Sequence, residues 1–253
     1  MKDAKQGAVL LLLLGLAAVP AAGAEQETWT GRYPLPAGGQ VEVLNIQGSI
    51  EVEGWDRSEV EVVAIKTAEE EGQSLADVRV AVEVGPDSLR VHTLYLRKSE
   101  EPVRVDYRLR VPRQVRLEEL RTVNGDVRVR NVEGTVEAHT LNGNIQQMGI
   151  SGSVVAGTLN GDVMLWLREL PGPAGRLELE AVNGDVFLRL PSDSHADLEV
   201  STVAGRIESE LLFSLAGRAG ETWLRIRLGR GGVLIRLRTI RGSIRVVGGE
   251  DLL

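Results

Sequence analysis

Between Thr122 and Trp166, apolar and polar positions recur with a period of nine. The stretch divides without insertion into TVNGDVRVR, NVEGTVEAH, TLNGNIQQM, GISGSVVAG and TLNGDVMLW. Every unit has an apolar residue at its second position (Val123, Val132, Leu141, Ile150, Leu159), Gly at its fourth and an aliphatic residue at its sixth. Self-similarity at a fixed period marks a repeat architecture. The even-numbered positions share one parity and face one side of an extended chain, which predicts strands with one buried face. Nine is odd, so each unit must contain a bend that resets which parity points inward. Units one, three and five begin with Thr and carry Asn-Gly, whereas units two and four carry Glu-Gly and Ser-Gly, so the true repeat is eighteen residues: two short strands and two corners.

Stacking such coils at about 4.8 Å places Thr122, Thr140 and Thr158 in one column and Asn124, Asn142 and Asn160 in another, where Asn side chains can hydrogen-bond along a ladder. The competing geometry is an antiparallel meander, because Asn-Gly is also the strongest two-residue hairpin signal. A meander gives no reason for alternate turns to match, and this favours stacking. Gly suits a tight corner or a close contact between coils. The pairs Asn124-Gly125, Asn142-Gly143, Asn160-Gly161 and Asn183-Gly184 are accordingly read as structural turns. The fold class predicted is all-β, a single-stranded, parallel β-helix-like β-solenoid with coils of about 18 residues and an irregular β N-terminal part.

Outside the centre the pattern loosens. Gln40 to Gly54 reads as an outlying coil around Gly48, and Glu59 to Ile65 as a further strand. Residues 67–77, rich in Glu and Ala and without period-two alternation, predict a short helix or a loop. Val78 to Val84, the turn Gly85-Pro86-Asp87-Ser88 and Leu89 to Leu96 predict a hairpin. Val103 to Val111 alternates and stops at Pro112. Beyond Trp166 the corner motif returns at Ala181–Val186, Thr202–Ile207 and Thr239–Ile244, and Gly161, Gly184, Gly205 and Gly242 stand 23, 21 and 37 residues apart. The extra residues, 170–175, 191–196 and 213–220, are expected as surface loops. The irregular N-terminal strands and the Arg-rich C-terminal strands are expected to cap the stack against edge pairing.

Lys2 and Lys5 precede an apolar run from Ala8 to Val19 and then Ala22-Gly23-Ala24, the pattern of a secretory signal peptide over residues 1–24. The run is shorter than the about 20 residues of a spanning helix, so the mature chain is expected to carry no transmembrane segment. The domain plan is therefore 1–24 signal peptide, 25–121 N-terminal β part, and 122–253 regular repeats with C-terminal strands. The formal charge is −7 and there is no Cys, so an exported chain of this kind relies on burial and backbone pairing instead of disulfides. Aromatics make up only 4% of residues, which ill suits a carbohydrate cleft lined with stacking rings.

Few residues suggest chemistry. Asp126, Asp162 and Asp185 each follow an Asn-Gly and align on stacking, but carboxylates in a column repel without an ion, and turn residues are the favoured reading over metal or acid–base sites. His92, His139 and His195 are isolated, with no zinc-ligand spacing. Gly229-Arg230-Gly231-Gly232 reads as a hairpin turn and not a phosphate cradle. No metal, cofactor or catalytic residue is assigned. The C-terminal strands hold Arg225, Arg227, Arg230, Arg236, Arg238, Arg241 and Arg245 against one nearby acid, Glu221. Arg225, Arg227, Arg236 and Arg238 alternate with apolar residues and form a candidate binding face for an anionic polymer, or else the solvated face of half-buried strands.

Repeated T-[VL]-N-G-[DN]-[VI], the Leu190-Pro191-Ser192 stop after a strand, and Leu228–Gly232 followed by Thr239–Ile244 carry a resemblance across Gly38 to Val247. The chain resembles the bacterial putative-adhesin family of β-strand-repeat domains, a family of unknown function. Ala204 and Arg241 depart from the Asn of the corner motif, which interrupts a continuous Asn ladder. The resemblance implies a β-solenoid at the cell envelope and transfers no catalytic residue. Together these readings predict an exported, non-enzymatic adhesin-like or scaffold protein, periplasmic, cell-surface or secreted. Its expected partners are an anionic envelope glycan or lipid, or an envelope protein, and not nucleic acid. The alternatives are a polysaccharide-active β-helix enzyme and an envelope-stress signalling module that binds a protein partner.

Overall fold

The computed structural model describes residues 25–69, 73–97, 102–210 and 223–249, and the backbone of 214–216. The expected signal peptide, residues 1–24, lies outside the described residues. The strands in chain order are β1 (Glu25–Pro34), β2 (Gly39–Leu44), β3 (Ile50–Trp55), β4 (Glu59–Ala68), β5 (Val78–Val84), β6 (Ser88–Tyr95) and β7 (Arg104–Pro112). There follow β8 (Gln114–Asn124), β9 (Val127–Arg130), β10 (Glu133–Asn142), β11 (Ile145–Ser151), β12 (Val154–Asn160), β13 (Val163–Glu169), β14 (Leu177–Asn183) and β15 (Val186–Leu190). The last are β16 (Ala196–Ala204), β17 (Ile207–Ser209), β18 (Ser214–Ala216), β19 (Trp223–Leu228), β20 (Val233–Arg241) and β21 (Ile244–Gly248). They form one large mixed sheet. Of the expected helix or loop at 67–77, the start is the end of β4 and a short 3₁₀ helix covers Leu75–Asp77, with residues 70–72 outside the described set.

The pairings resolve into two ladders. One runs β5–β6–β2–β8–β10–β12–β14–β20–β16–β19–β18. The other runs β1–β4–β7–β3–β9–β11–β13–β15–β21–β17. Pairing is parallel through the middle of both, at the offset the repeat demands: Thr122 opposite Thr140, Thr140 opposite Thr158, Val127 opposite Ile145 and Ile145 opposite Val163. Antiparallel strands close the ends, with β5 on the first ladder, β4 and β1 on the second, and β19 and β18 at the far end of the first.

The inward residues of both ladders make one apolar cluster, almost wholly Val, Leu, Ile and Ala. Alternation accounts for it: β2, β4, β14 and β16 bury every second residue. One position departs from the expected parity. Val132 and Ile150 are fully buried, but Val123, Leu141 and Leu159 point outward, because in these units Thr at position one faces inward and the Asn-Gly corner then shifts the parity before Val127, Ile145 and Val163. The second position is thus buried in units two and four and turned outward in units one, three and five.

The stacking order departs from chain order at both ends. The strands β2 and β3 lie between β8–β9 and the later β6 and β7. The last strands, β20 and β21, lie between β14–β15 and β16–β17. Gly229 to Gly232 is therefore not a hairpin turn. It carries the chain over the start of β16, since β19 and β20 flank that strand and do not pair with each other. Within the expected 213–220 loop, Ser214–Ala216 forms a short strand on β19.

The Asn-Gly corners hold three interlocking columns. Asn142 donates to Asn124, Asn160 to Asn142 and Asn183 to Asn160, at 2.7, 2.7 and 2.8 Å. Thr122, Thr140, Thr158, Thr239 and Thr202 each donate a hydroxyl to a corner glycine carbonyl at 2.8–2.9 Å. Gly125, Gly143, Gly161, Gly184, Gly242 and Gly205 stack so that a Cβ on any of them would collide with the backbone carbonyl of the glycine one coil away. At the N-terminal end a different buried network continues the Thr column: Thr93 Oγ1 donates to Asn45 Oδ1 and lies 2.8 Å from the Tyr107 hydroxyl, and Asn45 Nδ2 donates to the Val105 carbonyl.

Three outcomes are expected. Gly143→Ala should destabilise by about 3 kcal/mol or more, since the obstructing atom is backbone and cannot rotate away, whereas Gly172→Ala, where a Cβ meets nothing, should be close to neutral; chemical denaturation of the pair decides. Gln147 is buried between Val129 and Leu165 with neither side-chain amide atom hydrogen-bonded, so Gln147→Leu should raise stability by about 1–3 kcal/mol, and a loss would mean the amide has a partner. Deleting Trp223 to Leu253 removes an internal coil and should give an aggregating chain by light scattering; a soluble, cooperatively folding monomer would refute this.

Candidate functional site

The four arginines proposed from sequence lie together on the outer side of the first ladder. Alternation turns Arg225 and Arg227 outward from β19, and Arg236 and Arg238 outward from β20, because Leu224, Ile226, Leu228, Ile235 and Leu237 take the core. The remaining members of the Arg run go elsewhere. Arg245 is outward on the second ladder beside Glu208, Arg241 takes an Asn-column position opposite Asn183, and Arg230 sits in the loop whose backbone N–H donates to His195 Nδ1.

The register places a carboxylate beside each of the four. Across adjacent strands the order is Glu178, Arg236, Glu199, Arg225, a row of alternating sign. Arg236 Nη1 donates to Glu178 at 2.8 Å and its Nε lies 3.5 Å from Glu199. Arg225 donates to Glu199 at 2.5 Å, Arg227 to Asp197 at 2.7 Å, and Arg238 reaches Glu180 at 3.5 Å. The charge states respond accordingly. Hydrogen bonding from Arg176, then from Arg236, holds the Glu178 carboxyl below its usual range. Arg225 does the same to Glu199 and Arg227 to Asp197, while Glu178 raises Arg236. Sequence proximity showed only Glu221 because the real partners, Glu178, Glu180, Asp197 and Glu199, lie 26 to 58 residues away along the chain. The signal that could have found them is the alternating Glu in LELEAVNG and DLEV, read with the stacking order.

The turn carboxylates are engaged by backbone. Asp126 Oδ1 accepts the Asn144 N–H, Asn144 Oδ1 that of Asp162, Asp162 Oδ1 that of Asp185, and Asp185 Oδ1 that of Ser243, at 2.7–2.8 Å. Asp106 continues the column by accepting from Ser49 N–H and Oγ; burial opposes its ionisation, but the Arg104 and Ser49 hydrogen bonds outweigh that and lower its pKa. The three histidines do not converge: His92 faces Glu83, His139 Nε2 lies 3.1 Å from Glu137, and His195 meets the Arg230 backbone. Among the described residues, no group of three His, Asp or Glu is placed to hold a metal ion, and no helix is long and apolar enough to cross a membrane.

The outer side of the second ladder has two regions. Near β3, β7 and β9 a shallow groove is lined by Glu51, Glu53, Glu61, Arg108, Arg110, Arg128 and Arg130. Further along, Met148, Met164, Trp166 and Phe187 lie in adjacent register positions, half-buried, with the Arg189 guanidinium 5.6 Å from the Trp166 ring centre. Sequence composition pointed to neither.

No family model matches the chain, and no curated protein matches it. Among solved structures it is similar to a putative cell adhesion protein from Clostridium sporogenes, at 10% identity over 88% of this chain and 100% of that one, TM-score 0.46. It is also similar to a putative adhesin from Bacteroides fragilis, at 11% identity over 87% and 97%, TM-score 0.42, and to a putative lipid binding protein from Parabacteroides distasonis, at 10% identity over 90% and 98%, TM-score 0.31.

Proposed function

We propose that the chain is an exported, non-enzymatic β-solenoid that serves as an adhesin-like or scaffold protein of the bacterial cell envelope, with residues 1–24 as its export signal. The 18-residue offset of the central parallel strands and the Asn, Thr and Gly columns support the solenoid reading. The observation that carries the non-enzymatic reading is the use made of the aligned carboxylates: Asp126, Asp162 and Asp185 spend an oxygen each on the N–H of the neighbouring coil, which suits a turn role and not an acid–base pair. What the molecule offers a partner is the outer faces of its two ladders.

The candidate binding face keeps Arg225, Arg227, Arg236 and Arg238, now with their counter-ions. An anionic glycan or lipid headgroup engaging it must compete with Glu178, Glu199 and Asp197, so binding through this face would be weak and salt-sensitive. Two opposed variants make the reading testable against anionic polysaccharides and phosphatidylglycerol vesicles at low and high salt. Arg236→Ser with Arg238→Ser should abolish binding, and Glu178→Gln with Glu199→Gln should strengthen it several-fold. Binding that neither pair changes would place the ligand elsewhere, and absence of binding in all three proteins would direct the search to protein partners.

A further inference from the structure

Asn-Gly is the dipeptide most open to spontaneous deamidation, because glycine lacks the Cβ that would shield its nitrogen from the asparagine side chain. The chain has four such pairs, Asn124-Gly125, Asn142-Gly143, Asn160-Gly161 and Asn183-Gly184. In the reaction the glycine nitrogen attacks the asparagine Cγ, the Cγ–Nδ2 bond breaks, and ammonia leaves with the glycine proton as a succinimide closes. Water then opens the ring at either carbonyl, giving aspartate or isoaspartate. Isoaspartate routes the backbone through the side chain and lengthens it by a methylene.

The corner holds both reacting groups. Gly125 N–H donates to the Asn142 carbonyl, Gly143 to Asn160, Gly161 to Asn183 and Gly184 to Arg241, at 2.9–3.0 Å. A nitrogen held in this way cannot turn on the preceding side chain until the neighbouring strand leaves. The side chains are tied unevenly. Asn142 and Asn160 use both Oδ1 and Nδ2 in the ladder, whereas Asn183 uses only Nδ2, because the next position in the column is Arg241. The strands are tied unevenly as well. Freeing Gly125, Gly143 or Gly161 means parting β8 from β10, β10 from β12 or β12 from β14, in the middle of the first ladder. Freeing Gly184 needs only the far end to open: β20, β16, β19 and β18 of one ladder with β21 and β17 of the other. Two of these, β17 and β18, are three residues long, and local opening costs least where least structure is lost.

We propose that Asn183-Gly184 is a deamidation site controlled by the seating of β20, unreactive while β20 is in place and the first of the four pairs to convert when that end opens. The product then acts on the fold. A carboxylate at position 183 cannot donate to Asn160 Oδ1 as the amide does. In the isoaspartate form the extra methylene displaces Gly184, which packs against Gly161 and Gly242 with no room for even a Cβ. On such a chain β20 does not return to register, and a transient opening becomes permanent.

Peptide mapping by mass spectrometry of the full chain, aged at mildly alkaline pH either folded or in concentrated urea, tests this. In the folded protein Asn183 should convert about tenfold faster than Asn142 and Asn160. In urea the four pairs should convert at similar rates, each faster than when folded. Arg241→Asn, which offers Asn183 a further ladder partner, should slow Asn183 in the folded protein and leave its rate in urea unchanged. Gly242→Ala, whose Cβ would press on the Gly184 carbonyl, should speed Asn183 and leave Asn142 as it was. Equal rates at the four pairs in the folded protein, fastest conversion at any of the other three, or a folded rate at Asn183 as high as its rate in urea would each overturn the proposal. So would an Asn183 rate that neither variant moves.

Discussion

The structure depends on how closely backbones approach at one corner. Gly125, Gly143, Gly161, Gly184, Gly242 and Gly205 leave no room for a Cβ between their coil and the next, and the Thr hydroxyls and Asn amides of the same corner bond across the gap that this approach creates. Each of those bonds is worth about 1 kcal/mol net, yet none can form unless the carbonyls come within reach. Glycine at this position is therefore the condition for the columns around it, and the aliphatic core between the ladders follows from the spacing the corner sets. Ala181, which interrupts the Thr column, is tolerated because its Asn and Gly neighbours, Asn183 and Gly184, keep their places.

The outer faces follow a second rule, the pairing of unlike charges across strands. Glu178, Arg236, Glu199 and Arg225 alternate in sign over four strands in spatial order, although one of those strands, β20, is out of order in the chain. The same kind of row appears on the other ladder, where Arg110 and Arg130 flank Glu53, and Arg108 and Arg128 flank Glu51. Each strand of a row carries one sign, so the rows favour this order of strands over one that sets two like-signed strands side by side. They also leave the faces close to balanced locally, so attraction for a charged polymer depends on displacing an internal partner.

Much of this was legible from residues alone. The nine- and eighteen-residue periods gave the offset Thr122, Thr140, Thr158 and the Asn ladder, because local spacing translates directly into register when strands are parallel and coils equal in length. The all-β class, the 78–95 hairpin and the strand ending at Pro112 were equally readable. What was not legible depended on spatial order. The carboxylates opposite Arg225, Arg227, Arg236 and Arg238 are remote in sequence, the Gly229–Gly232 segment crosses a strand instead of reversing one, and the outward turn of Leu141 and Leu159 follows from a parity shift inside the corner that alternation cannot show.

The position of the last coil has a consequence for how the molecule comes into being. Ribosomes deliver β16 and β17 before β20 and β21, but the finished order needs the later pair to lie between the earlier one and β15. The central strand pairs can stack each on its predecessor, by contacts only eighteen residues long. β16 and β17 cannot, because β20 and β21 fill the place between them and β14–β15. Assembly of this end therefore waits for β20 and β21, and a chain folded without them would present an unfilled slot in place of a finished edge.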